Sequence, residues 1–249
     1  VRLDPEAGGG VHYEEPQDGR PGTMFRSVAP DEDVLWPWAE RTTVHHESAP
    51  GHHVHSGAHA VDERLGVWRR HLGKVPGCNE GWALYAEHLA ADLGLLPTPA
   101  DRFGWLAARR WRLARVLVDL GVHADVPVPP RVSALPGASR SVRWDRATAG
   151  AFLRHHTVLS EGFLAFEVER QLGWPGQALA YALGERVWCE AAVAAGAASR
   201  GTVARSGGAG DRAGHGSTGL AGTVGAPGVA GAPVSAVRRP SSCPRTAAS

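Results

Sequence analysis

Lysine is almost missing from this chain: Lys74 is the only one, and arginine supplies the rest of the positive charge. With so much Gly, Ala and Pro, that bias points to coding DNA rich in G and C. Cysteine is scarce too. Cys78, Cys189 and Cys243 are odd in number and unpaired by spacing, which argues against a disulfide framework and for a reducing, cytoplasmic setting. No apolar run approaches the roughly 18 residues that a membrane span needs. Residues 1–10 lack the charged-then-apolar build of a signal peptide. Charge of either sign is not in excess: the formal net charge is +1, so electrostatics give no case for a nucleic-acid or membrane partner. The tail arginines Arg238, Arg239 and Arg245 read as solvated. Strand-type alternation and internal repeats are also absent, which leaves an all-α reading.

Composition divides what remains. Residues 1–34 are punctuated by Gly8-Gly9-Gly10, Pro16, Pro21-Gly22 and Pro30 and read as a flexible loop-rich segment. Residues 35–198 hold most of the tryptophan and leucine and form the candidate helical domain. Residues 199–249 are Gly/Ala/Arg/Pro-rich and contain no aromatic residue. They cannot bury enough apolar surface to offset ordering, so disorder is expected there.

Within the central region, helical character begins at residues 36–43 and runs into a His-Glu segment. Asn79 is the expected N-cap of a helix over 80–93, with Trp82, Tyr85, Leu89 and Leu93 on one face and Gly94 closing it. Asp101 is the expected cap of the longest helix, to about residue 121. Its apolar stripe is Phe103, Leu106, Ala107, Leu113, Leu117 and Leu120, with Arg109, Arg110, Arg112 and Arg115 off it. Residues 124–143 read as a Pro-rich loop. Further helices are expected over 145–159, over 161–171, and from Trp174-Pro175-Gly176 to about residue 195.

The chemistry concentrates in His45-His46-Glu47-Ser48-Ala49-Pro50-Gly51-His52-His53 and in Glu80-Gly81-Trp82-Ala83-Leu84-Tyr85-Ala86-Glu87. Imidazole nitrogens hold zinc, and a neighbouring carboxylate can serve as general base toward water. In an H-E-x-x-H motif the two histidines share one helix face. Here Pro50 stands four residues after His46, and the next imidazoles are His52 and His53. On an unbroken helix, six residues turn the side chain away, and seven carry it about 10 Å along the axis. Pro50 removes a donor and clashes with the preceding turn, while Gly51 permits a tight reversal. A local break can therefore swing His52 back beside His46. Glu47 is then the candidate base and Glu80 the candidate third ligand. His45, His55 and His59 read as solvent-facing or supporting groups, Cys78 as packing or a soft ligand, and Glu87 as a solvated or ion-paired carboxylate.

These strings resemble the bacterial family known as domain of unknown function 885, whose members carry H-E-x-x-P-G-H-H and then E-G-W-A-L-Y-A-E. The likeness continues through Arg112-Leu113-Ala114-Arg115-Val116-Leu117-Val118-Asp119-Leu120-Gly121-Val122-His123, through Glu169-Arg170, and through Trp174-Pro175-Gly176-Gln177-Ala178-Leu179-Ala180-Tyr181. It covers about residues 20–195. Such proteins look like distant relatives of helical zinc peptidases of the carboxypeptidase Taq and oligopeptidase type, a zincin-like helical fold.

The resemblance implies a Zn2+ site held by His46, His52 and Glu80, with His53 as the alternative to His52 and Glu47 as base. It implies Tyr181 or His123 as oxyanion donor, while Arg170 is the candidate partner of a substrate carboxylate. The expected substrate is a peptide or a small-molecule amide, in an oligomeric state the sequence leaves open. Family members run longer on both sides of these motifs, which implies a fragment. The competing readings are an inactive or merely metal-binding chain, and a hydrolase of a non-peptide C–N bond.

Overall fold

The structure, a computed structural model, describes residues 1–4, 10–16, 20–28 and 34–206, with side chains up to residue 196. Most of it is helical, as the sequence predicts. The N-terminal segment departs from expectation: three short strands stand where loop was expected, β1 (Arg2–Asp4), β2 (Val11–Glu14) and β3 (Thr23–Ser27). β3 lies in the middle, parallel to β1 and antiparallel to β2, with Tyr13 opposite Met24. Strands of three to five residues are too short to show a period. This sheet is fixed by what it packs on: Met24, Arg26 and Ser27 are buried, and Arg26 makes a two-pronged ion pair to Glu40 on the first helix, at 3.1 and 3.0 Å.

Eight α-helices follow among the described residues. α1 (Pro37–Glu47) carries the His-Glu pair at its C-terminal end, and α2 (His52–Val61) begins five residues later. A single π turn (Trp68–Leu72) leads to α3 (Pro76–Asp92). α3 starts earlier than Asn79, because Pro76 occupies the first turn, where its missing N–H costs nothing. α4 (Pro99–His123) is capped by Thr98, with Asp101 completing a reciprocal capping box instead of serving as the N-cap itself. A short α5 (Pro130–Ser133) lies within the Pro-rich connection. α6 (Arg146–His156) is capped by Asp145 as expected, and α7 (Glu161–Gly173) by Ser160. Trp174-Pro175-Gly176 forms a turn ahead of the last helix, α8 (Leu179–Ser206). α8 thus runs past the expected boundary at residue 198; the rest of the expected disordered tail, 207–249, lies outside the described residues.

Two apolar clusters hold the helices together. Ala114 and Val118 of α4 pack with Phe152 and Leu153 of α6 and with Leu164 and Val168 of α7. Trp82, Tyr85 and Ala86 of α3 pack with Trp188, Cys189 and Ala192 of α8. The second cluster demands a close helix crossing, and glycine permits it: a Cβ on Gly81 would run into the backbone of Gly184, and one on Gly184 into the carbonyl of Gly77.

The apolar stripe expected to bury α4 does not do so. Phe103, Leu106, Leu113 and Leu117 are exposed, whereas Arg112, Arg115 and Asp119 are buried. The buried face is set by partners. Asp119 accepts from the backbone N–H groups of Gly176 and Ala178, at 2.9 and 3.1 Å, ahead of α8. Arg112 and Arg115 pair with Glu87 and Glu167. Among the described residues no helix is long and apolar enough to cross a membrane.

The crossing gives a paired prediction. Gly81→Ala forces α3 and α8 apart and lowers unfolding stability by about 1–3 kcal/mol. Gly57→Ala, inside α2 with open space around the added methyl, raises it by about 0.5–1 kcal/mol. Urea unfolding curves of the two variants against the parent chain check both signs.

Candidate functional site

α1 ends at Ser48, whose N–H and hydroxyl both return to the carbonyl of Val44. The chain then reverses through Pro50 and Gly51. The Gly51 N–H donates to the carbonyl of His45 at 3.0 Å, and a Cβ at this position would collide with the carbonyl oxygen of His46, so the turn closes only with glycine. From α3, the Trp82 indole N–H donates to the carbonyls of Pro50 and Gly51, at 2.9 and 3.1 Å. The break that Pro50 suggests is therefore built in and pinned by the second motif. It sets the rings of His46 and His52 edge to face, with centroids 4.9 Å apart.

Glu80 and Glu87 stand two helical turns apart on α3, on one face, and the His46 ring lies between them. Nδ1 of His46 is 2.7 Å from Glu87 Oε1, and Nε2 is 3.3 Å from Glu80 Oε2. Nε2 of His52 approaches the same Glu80 oxygen at 3.6 Å. Donor atoms of His46, Glu47 and His52 all lie within 4.8 Å of one another. Glu87 is itself held by the Thr42 hydroxyl at 2.7 Å and by Arg112 at 2.9 Å.

Burial and the Arg112 charge both disfavour a proton on His46. The hydrogen bonds to Glu80 and Glu87 outweigh them and raise its pKa to about 9. Burial alone would push the Glu80 carboxyl up, yet His46 and His52 hold it well below the usual carboxylate range. The Glu87 carboxyl is likewise lowered against its burial, by Arg112 and then His46.

This donor set fits zinc. Ligand atoms about 2.0–2.1 Å from a tetrahedral ion stand about 3.3 Å from one another, and the Glu80 oxygen lies at 3.3 and 3.6 Å from the two imidazole nitrogens. A carboxylate on the other nitrogen of a ligating histidine fixes its tautomer, and Glu87 stands there for His46. Three acceptors facing one point need a cation or a proton between them.

The other expected residues fall in different places. His53 turns away and pairs its Nδ1 with the Tyr13 hydroxyl of β2 at 2.6 Å. His123 is not brought to the cluster: its Nε2 is bonded to the Gln171 carbonyl at 2.7 Å. Tyr181 is there, its ring stacked 6.2 Å from that of His46. Arg170 donates to the Tyr181 hydroxyl at 3.3 Å.

Histidine 55, expected to face solvent or to lend support, is buried against Trp82 and Trp188. Its pKa is depressed to about 3, by burial first and then by its histidine neighbours. Glu87, expected to be a solvated or ion-paired carboxylate, is ion-paired, to Arg112 and His46, and is buried. Arg112 and Arg115, read only as lying off the apolar stripe, are the participants that sequence reasoning missed.

The cluster opens on a cavity of about 740 Å³ walled by Trp38, Trp111, Phe163, Phe166 and Trp174 and lined also by Arg115, Arg170, Gln177 and Tyr181. The fold and site together define a helical domain that gathers two histidines and three glutamates beside an aromatic-walled cleft. The chain matches the family described as bacterial protein of unknown function, DUF885, over residues 2–204, and belongs to it. It is also similar to the crystal structure of a candidate lipoprotein from Colwellia psychrerythraea, with a TM-score of 0.65 and 29% identity over 79% of this chain. The match spans 32% of that protein's chain, about a third of its length. No curated protein matches.

The two buried histidines with large shifts, His46 and His55, set a pH dependence for the metal-free protein. His46, raised to about 9, gives stability that is complete below its unfolded pKa near 6.5 and lost as pH rises through 9. His55, depressed to about 3, gives stability present above 6.5 and lost as pH falls below it. Melting temperature is expected to peak near pH 6.5, and His46→Gln to flatten the alkaline side alone. Thermal scans from pH 5 to 9 in chelator measure this.

Proposed function

We propose that this chain carries the site of a zinc-dependent hydrolase that cleaves peptide or other amide bonds. The observation that carries the reading is the convergence of His46, His52 and Glu80 on one point, with the Glu47 carboxylate beside it on the wall of a large cleft. His46, His52 and Glu80 would hold the ion. When bound, zinc polarises the scissile carbonyl and brings water's pKa toward neutrality.

The chain's own groups do the rest. Glu47 takes a proton from the attacking water as the new C–O bond forms and the carbonyl oxygen takes up charge, then gives that proton to the amide nitrogen as the C–N bond breaks and the carbonyl re-forms, leaving an acid and an amine. Glu87, through the Nδ1 hydrogen bond, keeps His46 facing inward with a lone pair on Nε2. The Tyr181 hydroxyl accepts from Arg170 and from Gln177, each at 3.3 Å, which leaves its own O–H free to donate to the oxyanion that develops on the carbonyl. With His123 bonded to a main-chain carbonyl, Tyr181 is the oxyanion donor of this reading. The aromatic wall excludes water and strengthens each of these charges.

A second reading, metal binding without turnover, asks only for the donor set of His46, His52 and Glu80. The two separate by experiment. Zinc raises the melting temperature under both, because a ligand that binds the folded state alone stabilises it. Cleavage of a mixed peptide library, followed by mass spectrometry, belongs to the first reading alone. Glu47→Gln is expected to keep zinc binding and lose about 10²–10⁴-fold in rate, and undiminished cleavage by that variant would remove Glu47 from the mechanism. Zinc must also displace the His46 proton. Its affinity is therefore expected to rise by about tenfold per pH unit between 6.5 and 9, as measured by calorimetric titration.

A further inference from the structure

The apolar stripe that α4 turns outward has a period of its own. Phe103, Leu106, Arg110, Leu113, Leu117 and Leu120 follow one another at alternating intervals of three and four. That is the seven-residue repeat of a coiled-coil seam. Phe103, Leu106, Leu113 and Leu117 keep 54, 56, 44 and 51% of their surface exposed, so the seam is bare along most of its length. It runs for about 25 Å, the rise of the residues it spans. Exposed leucines scattered singly need no explanation, but a continuous row on one face marks a docking surface. A second helix repeats at the same interval and can seat its own side chains between each of these. None of the seam residues lines the cleft, whose share of α4 is Gly104, Ala107, Ala108, Trp111, Arg112 and Arg115.

Charge along the seam has one sign. Arg102 and Arg110 are exposed, and among the described residues neither meets a carboxylate. The Arg110 guanidinium instead donates to Nδ1 of His156 at 2.9 Å, and the His155 ring stands edge-on to that of His156 at 4.8 Å. Burial first, and then Arg110, His155 and Arg131, push the His156 pKa down, as uncompensated positive charge does. The acids Asp101, Glu161 and Glu185 are taken by Arg41, Arg154 and Arg109.

Period and charge together choose the occupant. A second copy would bring its own Arg110 to the seam. In full overlap, parallel or antiparallel, the two Arg110 side chains fall within about one helical turn of each other, with no acid to separate them. Like charges across a seam oppose pairing. A bilayer surface takes a broad apolar face, whereas this row is narrow and holds an arginine within it. A helix with leucine-type residues along its seam and Glu or Asp beside them meets both the apolar row and the arginines.

We propose that the exposed seam of α4 docks an amphipathic helix of a separate polypeptide, apolar at heptad spacing and acidic along its flanks. The docking stands apart from the hydrolase reading, because it uses no residue of the cleft.

Two synthetic peptides of about three heptads test it, alike in their leucines and differing in glutamate or lysine at the flanking positions. Fluorescence anisotropy with the full chain is expected to show the glutamate peptide binding at least about tenfold tighter than the lysine peptide, with its helicity rising on binding. Leu113→Asp is expected to weaken that binding at least about tenfold, and Arg110→Glu to reverse the preference. Both side chains are exposed, so each variant should keep the thermal transition of the parent chain. Equal affinity for the two peptides, or none for either, overturns the proposal. A dimer in sedimentation velocity that Leu113→Asp dissociates also overturns it, making the partner a second copy. So does flotation of the chain on anionic phospholipid vesicles that the same variant abolishes.

Discussion

Both nitrogens of the His46 imidazole are engaged by carboxylates from a single helix, and the architecture around the site follows from that clamp. Glu87 is buried on the inner side, where an unpaired carboxylate would cost several kcal/mol. Three donors offset the cost: the Thr42 hydroxyl, one turn before His46 on α1; His46 Nδ1; and the Arg112 guanidinium on α4. Two helices, α1 and α4, thus converge on a carboxylate carried by α3, and each contributes polar groups whose removal would leave a buried charge uncompensated. The outer nitrogen of His46 is then fixed in direction, and Glu80 and His52 need only meet it.

Bringing His52 to that point required ending a helix. An unbroken helix keeps ligands on one face only at intervals of three, four or seven residues, and six misses them all. Pro50 and Gly51 replace helical continuity with a reversal that starts a second helix at the needed angle. The reversal carries its own cost, since backbone carbonyls inside a packed turn must find donors. Trp82 supplies the donor from α3. That is why the two conspicuous strings behave as one construction: the second contributes Glu80 and Glu87 to the cluster and, between them, the indole that locks the first string's turn.

Residue type and spacing made much of this legible. His46, Glu47 and Glu80 stand out as chemistry, and the steric argument at Pro50 and Gly51 placed His52 beside His46 without coordinates. Other features left no local trace. The strands of the N-terminal sheet are too short for a period of two to register, and their pairing depends on Arg26 reaching Glu40 across the fold. Glu87 looks like any surface glutamate until its neighbours on two other helices are known. That His53 turns from the cluster is equally invisible locally, since its ring meets Tyr13, forty positions away.

α4 shows why pattern alone misleads near a site. Its leucines and phenylalanine form a regular stripe that local reasoning buries, yet the helix turns its arginines and Asp119 inward. Buried charges must be met by fixed partners across the fold, and at such positions burial departs from the binary pattern. The opening peculiarity of composition then takes on a physical meaning. A buried lysine readily neutralises, whereas a guanidinium stays charged and can be held by several partners in one plane. The single lysine, Lys74, sits half-exposed against Glu15. The buried cations Arg26, Arg112 and Arg115 keep their charge where a lysine would lose it. Coding bias can account for arginine at the surface, but these interior positions call for it on chemical grounds.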